Sequence, residues 1–220
     1  MVHITCALYI IRYIHPLFPI TKTKPNMIAI IDYKMGNLRS VENALRRLGA
    51  DFCVTADAAV IRSADKVLLP GVGHCGEAMQ NLRDAGLIPV LRQLRQPVLG
   101  ICVGLQVLCR DSEEGDTECI GIFDSHVKRF TPAPGLKIPH MGWNTLENTE
   151  KKIFDGIRSG ESVYYVHSYY PTLCPDTIAT TTHGVMFSAA LKYEQFHGTQ
   201  FHPEKSGDVG ERILQNFLKL

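Results

Sequence analysis

"PVLGICVGLQVLC" fills residues 97–109. Val98 to Ile101 is an apolar run of the length a buried strand needs. Cys102 follows at once, with Gly100 and Gly104 two residues to either side of it. Helical spacing begins immediately afterwards, so a strand must turn sharply into a helix at the cysteine. Such a turn exposes its central residue at the carboxyl end of a sheet, and it needs small neighbours because the backbone there is strained and crowded. Gly100 and Gly104 supply the room.

The same strand-then-helix alternation extends outward from this point. "MIAIID" (27–32) reads as a buried strand. "NLRSVENALRRLG" places Leu38, Val41, Leu45 and Leu48 at helical spacing, with Asn37 as N-cap and Gly49 as stop. "DFCVTA" (51–56) and "KVLLPG" (66–71) are further strands, and a helical pattern separates the second of them from residue 97. Strands alternating with helices predict a largely parallel α/β sheet covered on both faces. Beyond about residue 119 the texture turns β-rich, in "CIGIFDSHVKRF", "SVYYVHSYYP", "TIATTTHGVMFSAAL" and "EQFHGTQFHPE". "DVGERILQNFLKL" closes the chain as an amphipathic helix. Residues 27–220 are therefore expected to form one α/β domain whose second half adds antiparallel strands.

Residues 1–26 stand apart. "ITCALYIIRYIHPLFPI" (4–20) carries Arg12, His15 and two prolines and falls short of the roughly 20 apolar residues of a membrane span. "TKTKPN" offers no cleavage site for a signal peptide. The segment is read as an appendage, consistent with a start codon assigned too early.

Composition narrows the function classes. With 23 basic against 22 acidic residues and a formal net charge of +1, there is no nucleic-acid footprint and no field for an acidic substrate. Small polar substrates and protein partners remain. The 7 cysteines, at positions 6, 53, 75, 102, 109, 119 and 174, are irregularly spaced and contain no CxxC pair, which argues against a disulfide framework and a zinc site. A reducing cytoplasm is the expected compartment.

Cys102 has two readings: a nucleophile held as thiolate by a helix N-terminus and a nearby imidazolium, or one more small buried hydrophobe. For the first, the base should be a histidine held by a carboxylate. "QFHPEKS" supplies His202 and Glu204 two apart in an extended segment stiffened by Pro203, so both side chains face one way. The carboxylate would fix the imidazole tautomer and steady the imidazolium. His126, His140, His167, His183 and His197 are read as structural or surface residues; the last three of these lack a carboxylate two residues away.

"LLPGVGHCG" contains G-x-G-x-x-G at Gly71, Gly73 and Gly76. It fails as a dinucleotide site: it follows the third strand, and "GLIPVLRQLRQPV", about 20 residues on, holds no acid for a ribose. Backbone amides of the Pro70–Gly73 turn, those of Val72 and Gly73, together with that of Val103, are instead candidates for stabilising an oxyanion formed on attack by Cys102.

"GICVGLQVL", "LPGVG" and "QFHPEKS" together resemble the class I (triad) glutamine amidotransferases. "DYKMGNLRSV", "IPHMGWN" and "YYVHSYY" narrow the resemblance to the glutaminase subunits of imidazole glycerol phosphate synthases. The match is collinear from Met27 to Leu220; Val103, where the family more often has leucine, is a conservative departure.

The resemblance implies an open, flavodoxin-like sheet and hydrolysis of glutamine to glutamate and ammonia through a thioester on Cys102, with His202 relaying protons and Glu204 orienting His202. It implies substrate contacts at Gly73, Gln106, Glu114 and the backbone of Ser168 and Tyr169. No metal or organic cofactor is implied. The ammonia would pass to a (βα)8 cyclase subunit in a heterodimer for histidine biosynthesis, consumed there on a phosphoribulosyl-formimino aminoimidazole carboxamide ribotide. Met141, Trp143, Tyr164 and Lys205 would lie near that partner, "IPHMGWN" forming a loop. Trp143 alone reads equally well as core. The resemblance also implies a subunit nearly silent until its partner binds nucleotide, the Gly71–Val72 peptide then reorienting. Open alternatives are service to another synthase, such as a pyridoxal phosphate or anthranilate one; a lone γ-glutamyl hydrolase or cysteine peptidase; and an inactive regulatory module.

Overall fold

The computed structural model describes residues 27–220, so the N-terminal appendage and its Cys6 lie outside the described residues. Strands β1 (Ile28–Ile31), β2 (Phe52–Thr55), β3 (Lys66–Gly71) and β4 (Val98–Cys102) alternate with helices α1 (Leu38–Arg47), α2 (Ala58–Ser63), α3 (Cys75–Asp84) and α4 (Ile88–Gln93). Asn37 caps α1, its side chain accepting from the Ser40 amide. The face carrying Val41, Ala44 and Leu45 is buried against the sheet, each leucine-sized side chain contributing about 2 kcal/mol. The sequence reading does not anticipate α2. Six residues are too few for an apolar period, and its one marker is Asp57, whose carboxylate accepts from the amides of Ala59 and Val60.

After a single turn, α5 (Val103–Gln106), the chain forms β5 (Asp111–Ser112), β6 (Thr117–Glu118), β7 (His126–Arg129), β8 (His140–Thr145), β9 (Ser162–His167), β10 (Tyr169–Pro171), β11 (Thr177–His183), β12 (Val185–Tyr193) and β13 (Phe196–Thr199). Helix α6 (Gly207–Leu218) closes it, burying Ile213, Leu214 and Phe217. The main sheet has seven strands in the order β11-β12-β13-β4-β3-β1-β2. The run β2-β1-β3-β4-β13 is parallel, and β12 and β11 extend it antiparallel. These five parallel strands thus have the flavodoxin-like order, with β1, β3 and β4 buried along their whole length as central parallel strands must be. No helix among the described residues is long and apolar enough to cross a membrane.

Four expectations change in detail. The helix after Cys102 is one turn only, because the chain leaves it at Val107 to enter the small sheet β10-β7-β5-β6. "IPHMGWN" is a strand for the most part, not a loop: β8 pairs antiparallel with β9, and alternation turns His140 inward while Met141 and Trp143 stand 62% and 59% exposed. That exposure also removes core packing as the role of Trp143. "SVYYVHSYYP" breaks at Ser168 into two strands of different sheets, since β9 pairs with β8 and β10 with β7. His202 and Glu204 are brought together by a 3-10 turn, Pro203–Lys205, and not by extended alternation. Proline presets the first residue of such a turn.

Candidate active site

Strand pairing assembles the site. Parallel register sets Gly71 beside Cys102 on one side of β4 and Thr199 beside Ile101 on the other. The glycine loop after β3 and the segment after β13 therefore flank the cysteine at the carboxyl edge of the sheet. Cys102 itself has φ 55° and ψ −111°, a conformation that costs a non-glycine residue on the order of 1–3 kcal/mol. The surroundings enforce it through close approach. A β-carbon at Gly100 would lie 2.5 Å from the Gly104 carbonyl oxygen, and one at Gly104 1.8 Å from that of Leu69.

Beyond β13, His202 Nδ1 meets Glu204 Oε1 at 2.8 Å, and both side chains are 2% exposed. The turn that carries them is tied to β9: the His202 amide donates to the Tyr164 carbonyl (3.0 Å), and the Tyr164 amide donates to Ser206 Oγ (2.9 Å). Ser206 in turn donates to the His202 carbonyl at 2.6 Å. Glu204 holding Nδ1 leaves Nε2 as the working nitrogen. Nε2 is buried and hydrogen-bonded to no described residue. Burial alone would push this imidazole's pKa down, but the charge of the Cys102 sulfur beside it, with the Glu204 carboxylate behind it, outweighs burial and raises the pKa to about 10. With α5 so short, this imidazolium and not a helix dipole is the main partner for a sulfur anion.

A cavity of about 260 Å³ opens over Cys102 and His202. Val72, Gly73 and Val103 line it on the oxyanion side, and Gln106, Glu114, Ser168 and Tyr169 line the remainder. Every catalytic, oxyanion and substrate candidate from the sequence thus borders one space, except Glu204, which stands behind His202. Gly73 has φ 88°, in the left-handed region that favours glycine, and the amides of Val72 and Gly73 donate to no described residue. One Glu114 oxygen accepts from the Cys75 amide at 2.7 Å, which anchors the carboxylate across the cavity.

The other histidines fall elsewhere. His126 pairs with Asp111 on the surface (2.8 Å), and His197 is buried against Phe217 with its pKa lowered to about 4 by burial and Lys192. His140 and His167 are buried and hydrogen-bonded to each other at 2.9 Å, and His183 stacks on His140. The sequence reading missed Gln200. It is fully buried and its Nε2 donates to Cys102 Sγ at 3.6 Å. The available signal was a glutamine between Thr199 and Phe201, two residues before His202 in a stretch read as β-rich.

The chain is similar to known proteins over nearly all of the described residues. The sequence profile described as "Glutamine amidotransferase class-I" matches residues 29–220. A protein of Bacteroides thetaiotaomicron named "Imidazole glycerol phosphate synthase subunit HisH" is 52% identical over 88% of this chain and 99% of its own length. One of the same name from Xanthomonas euvesicatoria is 46% identical over 88% and 97%. Among solved structures, a putative GMP synthase component from Thermoplasma acidophilum superposes with a TM-score of 0.69 at 22% identity, covering 88% of this chain and 92% of that one. That likeness establishes the fold.

Proposed function

Since the chain belongs to the class I glutamine amidotransferases, we propose that Cys102, His202 and Glu204 are its catalytic triad and that residues 27–220 act as one amidotransferase domain. The protein is the glutamine-hydrolysing subunit of an imidazole glycerol phosphate synthase, an enzyme of histidine biosynthesis. The observation that carries the assignment of residues is the placement of Cys102 and the Glu204-held His202 on adjacent parallel strand ends around one small cavity.

The geometry supports the following steps. Cys102 Sγ, as thiolate, attacks the side-chain amide carbon of glutamine. The oxyanion that forms is stabilised by amides of the Val72–Gly73 loop and of Val103, which border the cavity. Forming the carbon–sulfur bond discharges the sulfur, so the larger of the two influences that held the His202 proton disappears while Glu204 and burial remain. The imidazolium then gives its proton to the leaving ammonia, and the thioester stays on Cys102. Neutral His202 next takes a proton from water, which attacks the thioester; glutamate leaves and the thiolate–imidazolium pair is restored. Gly73, Gln106, Glu114 and the backbone of Ser168 and Tyr169 hold the substrate. Glutamine plus water thus yields glutamate plus ammonia.

The ammonia is used by a cyclase subunit. We infer a heterodimer that docks through Met141, Trp143, Tyr164 and Lys205. Trp143 and Tyr164 are cross-strand partners with ring centroids 6.1 Å apart, and Lys205 sits on the exposed side of the triad's own turn. Docking there acts on the strand that holds His202, which supports activation by the partner and a reorientation of the Gly71–Val72 peptide. The cytoplasm is the compartment that free thiols and a biosynthetic role favour. The deciding experiment is glutaminase assay of the chain with a cyclase subunit plus its nucleotide ligand, with Cys102→Ala as control. Loss of activity in the control supports the triad, and full activity in it rules the triad out.

A further inference from the structure

We propose that Gln200 is a positioning residue for the Cys102 sulfur, its carboxamide oriented through Gln106 by the Tyr169 carbonyl. The inference rests on the reading of Cys102 as nucleophile.

The Tyr169 carbonyl is shared with a run of hydrogen bonds from Asn144 on β8, whose direction follows from groups that have no choice of role. His167 Nδ1 meets the Tyr169 carbonyl at 2.8 Å, and a carbonyl only accepts, so Nδ1 carries the proton. In a neutral ring Nε2 must then accept, and it does so from His140 Nδ1 at 2.9 Å. His140 Nε2 in turn accepts from Asn144 Nδ2 at 3.1 Å. The Asn144 amide is fixed independently, because its oxygen accepts from the Thr145 amide and its nitrogen also donates to the Thr182 carbonyl. Burial keeps both rings neutral, with pKa lowered to about 4 for His140 and about 3 for His167. The two ends agree on one set of tautomers.

From its other side, the same carbonyl orients Gln106 and, through it, Gln200. Gln106 turns a donor to Tyr169 O at 3.1 Å, so that end of its side chain is the nitrogen. The same nitrogen lies 3.0 Å from Gln200 Oε1, which must accept. Gln200 therefore has its N–H directed at Cys102 Sγ, 3.6 Å away. A flipped Gln200 would set oxygen against sulfur and nitrogen against nitrogen. The fully buried carboxamide thus gives a developing thiolate a second donor besides the His202 imidazolium.

The test is the rate of Cys102 alkylation by iodoacetamide in the full-length chain at neutral pH, read by peptide mass spectrometry, and glutaminase kcat and KM with the cyclase subunit. Gln200→Met keeps length and removes the donor. It should slow alkylation and lower kcat by about tenfold each, with KM within about twofold. Gln106→Leu, which removes the donor that fixes the Gln200 oxygen without touching the sulfur, should slow alkylation about threefold. If Gln200→Met does not fold by circular dichroism, the isosteric Gln200→Glu takes its place with the same expected loss. Alkylation and kcat equal to the parent's, or a rise in KM alone, would overturn the proposal, and unchanged alkylation in Gln106→Leu would remove Gln106 as the group that orients Gln200. If the parent's Cys102 is not alkylated and Cys102→Ala still hydrolyses glutamine, it is instead the nucleophile reading that fails.

Discussion

Gly104 sits so close to Leu69 that a β-carbon on it would lie 1.8 Å from the Leu69 carbonyl oxygen. Backbone cannot yield locally at that point, because Leu69 pairs in register with Gly100 in the centre of the sheet. The contact presses the turn after β4 onto β3 and leaves Cys102 its positive φ as the way out.

Gly104→Ala should therefore cost about 3 kcal/mol or more. In a chain of this size that lowers Tm by roughly 6–12 °C. A thermal melt checks it, and glutaminase activity of any folded fraction should fall as well, since relief of the clash moves Cys102.

Glu204→Gln should narrow the pH window in which His202 is charged. The folded pKa, about 10, lies above the ordinary 6.5, so the contribution of the charged ring is fully present below 6.5 and fades as pH rises through about 10. Removing the carboxylate takes away one support of the raised value and leaves burial, so the upper limit moves down. Nitrogen NMR titration of His202 measures the shift, and kcat should drop about 100-fold as the ring loses its orientation.

Trp143→Ala should leave the fold intact, because the ring is 59% exposed, and weaken association with the cyclase partner. An interface aromatic of this kind contributes about 2 kcal/mol, equivalent to roughly 30-fold in Kd. A binding titration reads it; unchanged Kd with an unchanged melt would remove Trp143 from the interface.

Cys109→Ala separates the two cysteines of the opening stretch. Cys109 is fully buried, its sulfur facing the Leu105 carbonyl at 3.6 Å, and burial pushes its thiol pKa up. Loss of that sulfur should cost about 1 kcal/mol of stability and leave kcat within about twofold, as a melt and an assay on one preparation would show.

What could be read from the sequence was whatever is local. The apolar runs at 28–31, 66–71 and 98–102 announced central parallel strands, and glycines around Cys102 announced its turn. His202 and Glu204 are two residues apart, so their pairing was visible, although the 3-10 turn that makes it was not. The strand at His140–Thr145 was hidden by the proline just before it and by Gly142 within it, and its pairing with β9 decides it. Gln200 was missed for a related reason: its partners, Cys102 and Gln106, are 98 and 94 residues away, and only the register of β13 on β4 brings them together.

The most direct measurement is glutamate release from glutamine by the purified chain, alone and with an imidazole glycerol phosphate synthase cyclase subunit plus its nucleotide ligand, for the parent and for Cys102→Ala. The account predicts strong stimulation by the liganded cyclase and loss of glutamate production in Cys102→Ala while the variant still binds its partner. Glutamate release by Cys102→Ala at the parent's rate would contradict it.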